Sequence, residues 1–303
     1  MKKLNIFLSI LFAILSTGCN ELPEELFEKY AVIIRSGYHE WAIPFSNESS
    51  VATSISVAVS GTSVISEDMD VEIAVNSALL DEYNFEKFRN DEASYYTLLP
   101  EDCYSFESMK TTIKAGDEYA LIPLNLNLNN MDKYKNYVLP VEIVSVSKHS
   151  IGINGYNQSL INIVLVNDYS GSYTMAVDLR SSEGNIFINQ EQSLRIVDLN
   201  SCYFHVPYLN KASEKEDYII NMKVNSDSTL AFSANNADIE LTFATPNKEK
   251  DNEINIVQIT ETEKKTKTIK FFIDYSYMDK SNTEIAPIRR NIKGYFLREV
   301  KME

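Results

Sequence analysis

Residues 51–59 read Val-Ala-Thr-Ser-Ile-Ser-Val-Ala-Val, and every second position carries an apolar or β-branched side chain. The same alternation recurs at residues 122–128, 239–243 and 269–275. A period of two is typical of strands with one buried face and one solvent-exposed face, which are common in antiparallel sheets. The chain is therefore predicted to be an all-β protein.

Further strands are predicted from shorter apolar runs at residues 30–35, 40–45, 70–76, 138–146, 159–166, 171–179, 185–197, 217–224, 229–234, 254–259 and 285–298. Only residues 77–84 predict a helix, with Ser77 as its N-cap and a short apolar stripe behind it. Many strands joined by short polar turns favour sandwiches or barrels. The turn-forming residues 167–171 follow an apolar strand and predict a domain boundary.

The N-terminus predicts export. Lys2 and Lys3 precede an apolar run over residues 4–15, and small residues lead to Cys19. That run is shorter than the roughly 20 apolar residues that a membrane-spanning helix needs. A basic start, a short apolar centre and a small-residue end are typical of a cleavable signal. Residues 1–18 are therefore predicted to be a signal peptide.

The segment Leu-Ser-Thr-Gly-Cys at residues 15–19 resembles the bacterial lipobox, in which the cysteine receives a lipid before the signal is removed. Ser16 departs from the pattern, because leucine is usual three positions before the cysteine. The alternative is an ordinary secretory signal that happens to contain a cysteine. The resemblance implies that Cys19 is the lipid attachment site and that acyl chains anchor the protein.

Residues 19–27 contain acidic side chains and Pro23, so they are predicted to form a flexible tether after the lipidated cysteine. Acidic residues at this position also resemble the surface-export signal of Bacteroidetes lipoproteins. They imply an outer-membrane anchor that faces the cell exterior.

The composition argues against nucleic acid as a partner and leaves two alternatives for the state of the cysteines. The 303 residues carry a net charge of −15, which argues against nucleic-acid binding because phosphate recognition needs a basic face. Cys103 and Cys202 remain after Cys19 is assigned to lipid. A disulfide between them is the alternative to two buried free thiols, and free thiols are the prediction because the two cysteines fall in different predicted domains.

No catalytic constellation stands out, so the protein is predicted not to be an enzyme and to need no cofactor. His39, His149 and His205 lie far apart without metal-ligand spacing. The 43 acidic residues offer many possible glycosidase carboxylate pairs, and no motif singles out one pair. Asp68, Asp70 and Glu72 alternate along one strand face. They predict a solvated acidic surface, with a calcium site as the alternative.

Aromatic side chains are the best candidates for binding sugar, because their faces stack on the apolar side of a pyranose ring. Trp41 is the only tryptophan and lies close to Tyr38 in the sequence. Tyr203 and Tyr208 belong to a second aromatic group. The predicted glycan-binding residues are therefore Trp41, Tyr203 and Tyr208, with a role in the hydrophobic core as the alternative for each.

Several motifs together resemble a two-domain family of Bacteroidetes surface lipoproteins linked to polysaccharide-utilisation loci. In the first half they are Ala-Leu-Leu-Asp-Glu-Tyr-Asn at 78–84, Tyr-Thr-Leu-Leu-Pro-Glu-Asp-Cys-Tyr at 96–104, Thr-Ile-Lys-Ala-Gly-Asp at 112–117 and Tyr-Val-Leu-Pro-Val-Glu-Ile at 137–143. The second half is similar to the family's C-terminal partner domain at its opening, 168–173, and its close, 291–298. The resemblance implies an immunoglobulin-like β-sandwich over residues 28–166 and an all-β, barrel-like domain over residues 168–303.

The resemblance implies a function as well as a fold. The preferred hypothesis is a non-catalytic cell-surface lipoprotein that binds glycan or supports a polysaccharide-uptake complex. The alternative is an adhesin or structural assembly lipoprotein with a protein partner. Exposed aromatics in a groove would favour the first hypothesis, and a long unpaired edge strand or a flat apolar patch would favour the second.

Overall fold

The computed structural model describes residues 28–46, 48, 50–61, 63–207, 218–244, 254–263, 265–280 and 286–301. The predicted signal peptide 1–18, the tether 19–27 with Cys19, and Tyr208 all lie outside the described residues. No helix within the described ranges is both long enough and apolar enough to cross a membrane.

The first half of the chain contains one α-helix and a set of antiparallel and parallel strands. These are β1 (Tyr30–Ile33), β2 (Gly37–Pro44), β3 (Ser50–Val59), β4 (Met69–Val75), α1 (Ser77–Phe88), β5 (Thr97–Leu98), β6 (Tyr104–Phe106), β7 (Lys110–Ile113), β8 (Tyr119–Asn127), β9 (Tyr137–Val146), β10 (Ser150–Ile151) and β11 (Gln158–Val166). Short 3-10 turns lie at Glu92–Ser94, Glu101–Cys103 and Leu128–Asn130.

These strands form two sheets that pack face to face. One has the order β10-β1-β3-β8-β6, and the other has the order β2-β11-β9-β4-β7 with β5 paired to β9. The alternation in β3 and β8 sends one set of side chains inward, so that Ile55, Leu124 and Leu126 are almost fully buried. The predicted immunoglobulin-like β-sandwich is confirmed.

The chain changes sheet between β1 and β2. β1 pairs antiparallel with the end of β3, and β2 pairs in parallel with β11 in the opposite sheet. Residues 34–36 make the crossing, and Gly37 follows with a φ of +74°, which glycine adopts without the strain that a Cβ would bring. Because β1 is short, it leaves residues 50–56 of β3 uncovered, and β2 is the edge of its own sheet.

Helix α1 lies on the outer face of the second sheet. Its N-cap is Asn76, whose side chain accepts the Ala78 N–H, so the prediction of Ser77 as N-cap was wrong by one residue. Asn84 is buried and bonds both the N–H and the C=O of Tyr96, each at 2.9 Å. These bonds fasten the loop after the helix, and the helix extends four residues beyond its predicted end.

The second half of the chain consists of long antiparallel strands. They are β12 (Gly171–Ser181), β13 (Gly184–Asp198), β14 (Ser201–His205), β15 (Ile219–Val224), β16 (Leu230–Ala234), β17 (Ile239–Phe243), β18 (Ile256–Thr262), β19 (Thr266–Asp279) and β20 (Arg289–Lys301). Their order is β16-β15-β14-β13-β12-β20-β19-β17, with β18 also paired to β19.

This sheet curls until its two ends nearly meet. The Leu230 N–H donates to the Asn255 carbonyl at 2.7 Å, and the Val257 N–H donates to the Ser228 carbonyl at 2.9 Å. The start of β16 therefore contacts the start of β18, and the predicted barrel-like domain is confirmed. Its interior is rich in aromatic side chains such as Phe204, Phe271 and Phe296, none of which is exposed.

Two separate cores result. One is built from residues between Ala31 and Leu165, and the other from residues between Tyr169 and Phe296. Asn167 lies between them, where its side-chain oxygen accepts the N–H groups of Tyr169 and Ser170. The domain limits 28–166 and 168–303 stay a prediction.

The sequence prediction missed several short strands and matched the long ones. Strands predicted at 138–146, 159–166 and 185–197 are found within one residue at each end. The five missed strands are short, with two to five residues each: β5, β6, β7, β10 and β14. Thr262 pairs with Thr266, so β18 and β19 form a hairpin.

Candidate functional site

The crossing from β1 to β2 opens a cleft of about 600 Å³ on one side of the sandwich. Its walls are the uncovered part of β3 and the strand β2, and its floor is formed by core isoleucines that include Ile33, Ile55 and Ile161. The cleft thus lies where the outer side of β2 and the part of β3 beyond β1 both lack a neighbouring strand among the described residues.

Trp41 and His39 point into this cleft from β2. They are two residues apart, so they share one face of the strand. Both are half-buried, and the centres of their rings lie 6.1 Å apart. Trp41 packs against the sandwich core, which holds the indole ring in place. Together they place an indole and an imidazole side by side over an apolar floor.

His39 carries a buried polar atom that no described residue satisfies. Its Nδ1 lies 3.4 Å from the Gly37 carbonyl, while Nε2 is buried without a hydrogen-bond partner among the described residues. Burial lowers the pKa of His39, and the nearby Arg35 charge adds to this effect, so the neutral ring is favoured. With Nδ1 donating to Gly37, Nε2 is left as a buried acceptor without a partner among the described residues, beside the cleft.

The rim of the cleft is polar. The cleft lining also includes Arg35 and Glu40, which are exposed, and three hydroxyl-bearing residues of β3, Thr53, Ser54 and Ser56. An indole face, an imidazole acceptor, hydroxyls and one charge of each sign are the groups that can hold a polyhydroxylated ligand. The arrangement offers no nucleophile paired with a base.

Tyr38 lies on the other face of β2 and takes no part in the cleft. It stacks on Tyr83 at 5.1 Å and on Tyr96 at 5.5 Å between ring centres, and Lys87 Nζ lies 4.7 Å from its ring. Its hydroxyl accepts from Asn162 Nδ2 at 2.9 Å. Burial, together with the bond to Tyr96, raises the pKa of Tyr38. This cluster attaches helix α1 to the sheet, which is a structural role.

Tyr203 does not share the setting of Trp41. It is only 2% exposed and packs against Tyr134 of the first half, with 5.0 Å between the ring centres. Nearby, Tyr134 Oη donates to Asn221 Oδ1 at 3.2 Å, and Arg195 Nη1 donates to Asn136 Oδ1. We call this contact of the two halves the seam (Tyr134, Asn136, Arg195, Tyr203 and Asn221). Its burial leaves Tyr203 no ring face for a ligand from solution.

The other candidate groups have ordinary partners. Asp68 accepts from Lys114 Nζ at 2.8 Å, and Glu72 lies 3.2 Å from Lys110 Nζ. Within the described ranges no three His, Cys, Asp or Glu side chains are grouped to hold a metal ion. Asp68, Asp70 and Glu72 therefore form an exposed face whose charges are partly balanced by lysines.

Both remaining cysteines are buried free thiols, as predicted. Burial raises the pKa of the Cys103 thiol to about 11 and that of the Cys202 thiol to about 12, so neither is a thiolate at neutral pH. His149 lies in a turn with a φ of +61°, and His205 ends β14, so the three histidines remain far apart in the fold.

The sequence prediction recognised Trp41 and overlooked His39. The predicted strand 40–45 began one residue too late to include His39, whereas the observed strand is Gly37–Pro44. The spacing His-x-Trp was the available signal, because alternate residues of a strand face the same way. No sequence pattern indicated that Arg35 lies in the cleft, since its position depends on the crossing of the chain between the two sheets.

Two family models match successive parts of the chain. One describes an N-terminal domain and matches residues 20–150, and the other describes a C-terminal domain and matches residues 157–296. No curated protein matches the chain.

Several solved structures have a similar fold over most of their length. A protein of unknown function from Bacteroides ovatus has 23% identity and a TM-score of 0.72, covering 90% of this chain and 96% of its own. A second from Bacteroides ovatus, also of unknown function, has 19% identity and a TM-score of 0.70, covering 90% and 92%.

An auxiliary nutrient binding protein from Bacteroides thetaiotaomicron has 17% identity and a TM-score of 0.67, covering 87% of this chain and 91% of its own. At these identities the likeness establishes the fold alone. The two models cover the chain in succession, and the similar structures share both halves. The chain therefore has a two-domain, all-β fold that is also found in proteins from Bacteroides.

Proposed function

We propose that this protein is a non-catalytic binding lipoprotein of the cell surface that takes a glycan in the cleft beside Trp41. The observation that carries the proposal is the pairing of Trp41 with His39 in one cleft of about 600 Å³. An aromatic face for the apolar side of a sugar ring lies next to an unsatisfied imidazole nitrogen for a hydroxyl.

The rim fits the same ligand class. Arg35, Glu40 and the β3 hydroxyls are within reach of the hydroxyls that project from the edge of a sugar ring held against Trp41. The similar fold of the auxiliary nutrient binding protein from Bacteroides thetaiotaomicron supports a binding role over catalysis. Nothing in the cleft supplies the activated nucleophile that covalent catalysis would require.

The path of the chain suits an anchored binder. Tyr30 at the start of β1 pairs with Ser150, near the end of the sandwich where β11 begins. β11 then runs to Val166 at the opposite end and enters the second domain. A lipid on Cys19 followed by the tether 19–27 would therefore place the sandwich, and then the barrel-like domain, progressively farther from an outer membrane.

The test is a screen of the chain on a polysaccharide array, with Trp41→Ala beside the unchanged protein. Retention of one glycan class that is lost in Trp41→Ala is the expected result. Tyr119→Ala is the matched control, because Tyr119 is an aromatic residue of the same domain that is 52% exposed on β8, outside the cleft. Failure to retain any host or plant glycan would overturn the proposal.

The anchor is tested separately. Cells grown with an alkyne fatty acid should label the chain, and Cys19→Ala should abolish that label. Protease treatment of intact cells should remove the labelled protein if it faces the exterior. Labelling that persists in Cys19→Ala would contradict the assignment of the lipid to this residue.

A further inference from the structure

Among the described residues, one strand of the second domain has an edge without a partner. β13 pairs with β12 along its whole first part, from Gly184 to Leu194. On its other side it pairs with β14 only between Arg195 and Asp198. No strand in the described part of the chain pairs with that side of residues 184–194, which we call the open edge.

The direction of the backbone groups on the open edge follows from its turn. Ser181 pairs with Gly184, so two residues form the turn between β12 and β13. The pair that closes a two-residue turn is hydrogen-bonded, and hydrogen-bonded pairs alternate with non-hydrogen-bonded ones. The N–H and C=O groups of residues 185, 187, 189, 191 and 193 therefore face away from β12. Arg195, the next residue in this series, is the one at which pairing with β14 starts.

The open edge lacks the features that normally block strand addition. Natural edge strands carry lysine, proline or a bulge that prevents pairing with another chain. Residues 184–194 contain no lysine, arginine or proline, their pairing with β12 is regular throughout, and Glu191 is their only charged residue. Two large apolar side chains are also exposed there, Ile186 at 51% and Phe187 at 65%.

The open edge lies away from the cleft and from the N-terminal domain. Arg195 contacts Asn136 in the seam, and Gly184 is eleven residues farther along the strand. At the rise per residue of an extended strand, Gly184 and Arg195 are roughly 35 Å apart. The turn at residues 182–183 thus lies at the end of the second domain that points away from the sandwich.

We propose that the open edge of β13 is a strand-addition site for an extended segment of another polypeptide. Backbone groups on the edge would pair with the segment. Phe187 would contact an apolar side chain of the segment, whose side chains alternate between the two faces of the sheet. The net charge of −15 favours a basic segment. A second copy of the chain is a less suitable partner. Antiparallel pairing of two such edges would orient the two copies in opposite directions and would bring two strongly acidic chains together.

The experiment uses the full chain with Cys19→Ala and a defined probe, a fluorescein-labelled peptide of alternating valine and threonine with a lysine at each end. The expected result is saturable binding by fluorescence anisotropy. Asn189→Pro should weaken binding by roughly tenfold or more, because proline removes an outward N–H while the ladder to β12 keeps its own donors. Asn189→Thr is the matched control and should bind like the unchanged protein.

Hydrogen exchange supplies a second readout that does not depend on folding of the variant. In the free chain the amides of residues 187, 189 and 191 should exchange quickly, and the probe should slow them. Slow exchange of these amides without the probe would mean that the chain covers its own edge, and that result overturns the proposal. Equal binding by Asn189→Pro, or concentration-dependent dimers that Asn189→Pro abolishes, would also overturn it.

Discussion

Trp41 and Tyr203 look alike in the sequence, since each is an aromatic residue on a predicted or observed strand with other aromatics nearby. The structure gives them opposite settings. Trp41 is half-buried at the edge of a sheet, in a cleft that opens to solvent. Tyr203 is buried in the seam between the two halves of the chain. The two residues differ because one side of β2 has no neighbouring strand among the described residues, whereas Tyr203 lies on a strand that is paired on both sides.

The same comparison explains why the two sites respond differently to change. The seam is closed, so that its polar groups pair with each other, as Arg195 does with Asn136. The cleft is open, and His39 Nε2 has no partner among the described residues. Changes in the seam should act on stability, and changes in the cleft should act on binding.

The largest effect is expected from Tyr203→Ala. Removing a fully buried aromatic ring leaves a cavity and should lower the free energy of unfolding by about 3–5 kcal/mol. Urea denaturation followed by circular dichroism measures this loss. Tyr203→Phe keeps the ring and should cost less than about 1.5 kcal/mol. A loss below about 1 kcal/mol for Tyr203→Ala would show that the seam is not a packed contact.

The next effect is expected at the cleft. If Trp41 stacks on a sugar, Trp41→Ala should weaken glycan binding by about 1.5–3 kcal/mol, which is roughly ten- to hundredfold in Kd. Trp41→Phe keeps an aromatic face and should lose less. Isothermal titration with the glycan that the array selects measures both. Equal affinity of Trp41→Ala and the unchanged protein would show that Trp41 does not contact the glycan.

A smaller effect is expected from Tyr134→Phe, which deletes the hydroxyl that donates to Asn221 in the seam. The free energy of unfolding should fall by about 0.5–1.5 kcal/mol, because a partly buried acceptor loses its donor. Tyr156→Phe is the matched control, since Tyr156 is 58% exposed and should show no measurable change. Identical unfolding curves for Tyr134→Phe and Tyr156→Phe would mean that the hydrogen bond in the seam adds nothing to stability.

The smallest effect is a dependence on pH at His39. Burial lowers its pKa in the folded protein, so the unfolded chain binds a proton at a higher pH than the folded chain does. Stability should therefore fall as pH drops below the unfolded value, about 6.5, and level off below the folded pKa. Comparing unfolding between pH 5 and 8 for the unchanged protein and His39→Gln isolates this contribution. If the stability of His39→Gln depended on pH in the same way as that of the unchanged protein, the titrating group would be a different residue.

Much of the fold was predictable because strand length and period are local properties. Residues 51–59, 122–127 and 269–275 show the alternation, and each of these ranges lies in a strand of the structure, while Leu128 begins a 3-10 turn. The helix was also predictable, apart from its cap, since both Ser77 and Asn76 are residues that favour an N-cap. The two-residue strands β5 and β10 were not predictable, because they exist only where longer strands offer them a partner.

The candidate site was predictable only in part. Trp41 was named as a binding residue because it is the single tryptophan, while His39 was considered only as a metal ligand and Arg35 was not considered. Their place in the cleft depends on the crossing of residues 34–36 from one sheet to the other, which pairs β1 with β3 and β2 with β11. Pairing between strands that are distant in the sequence has no local signature.

The sequence by itself determined that the chain is all-β and which faces of its strands turn inward, and it predicts an export signal that leads to Cys19. These features depend on residues within a few positions of each other. Only the tertiary structure decided that Trp41 lies in a cleft, that Tyr203 lies in a seam, and that the first part of β13 keeps an open edge. The physical reason is that strand order and sheet closure decide which side of a residue is covered, whereas the alternation of residues decides only the direction in which its side chain points.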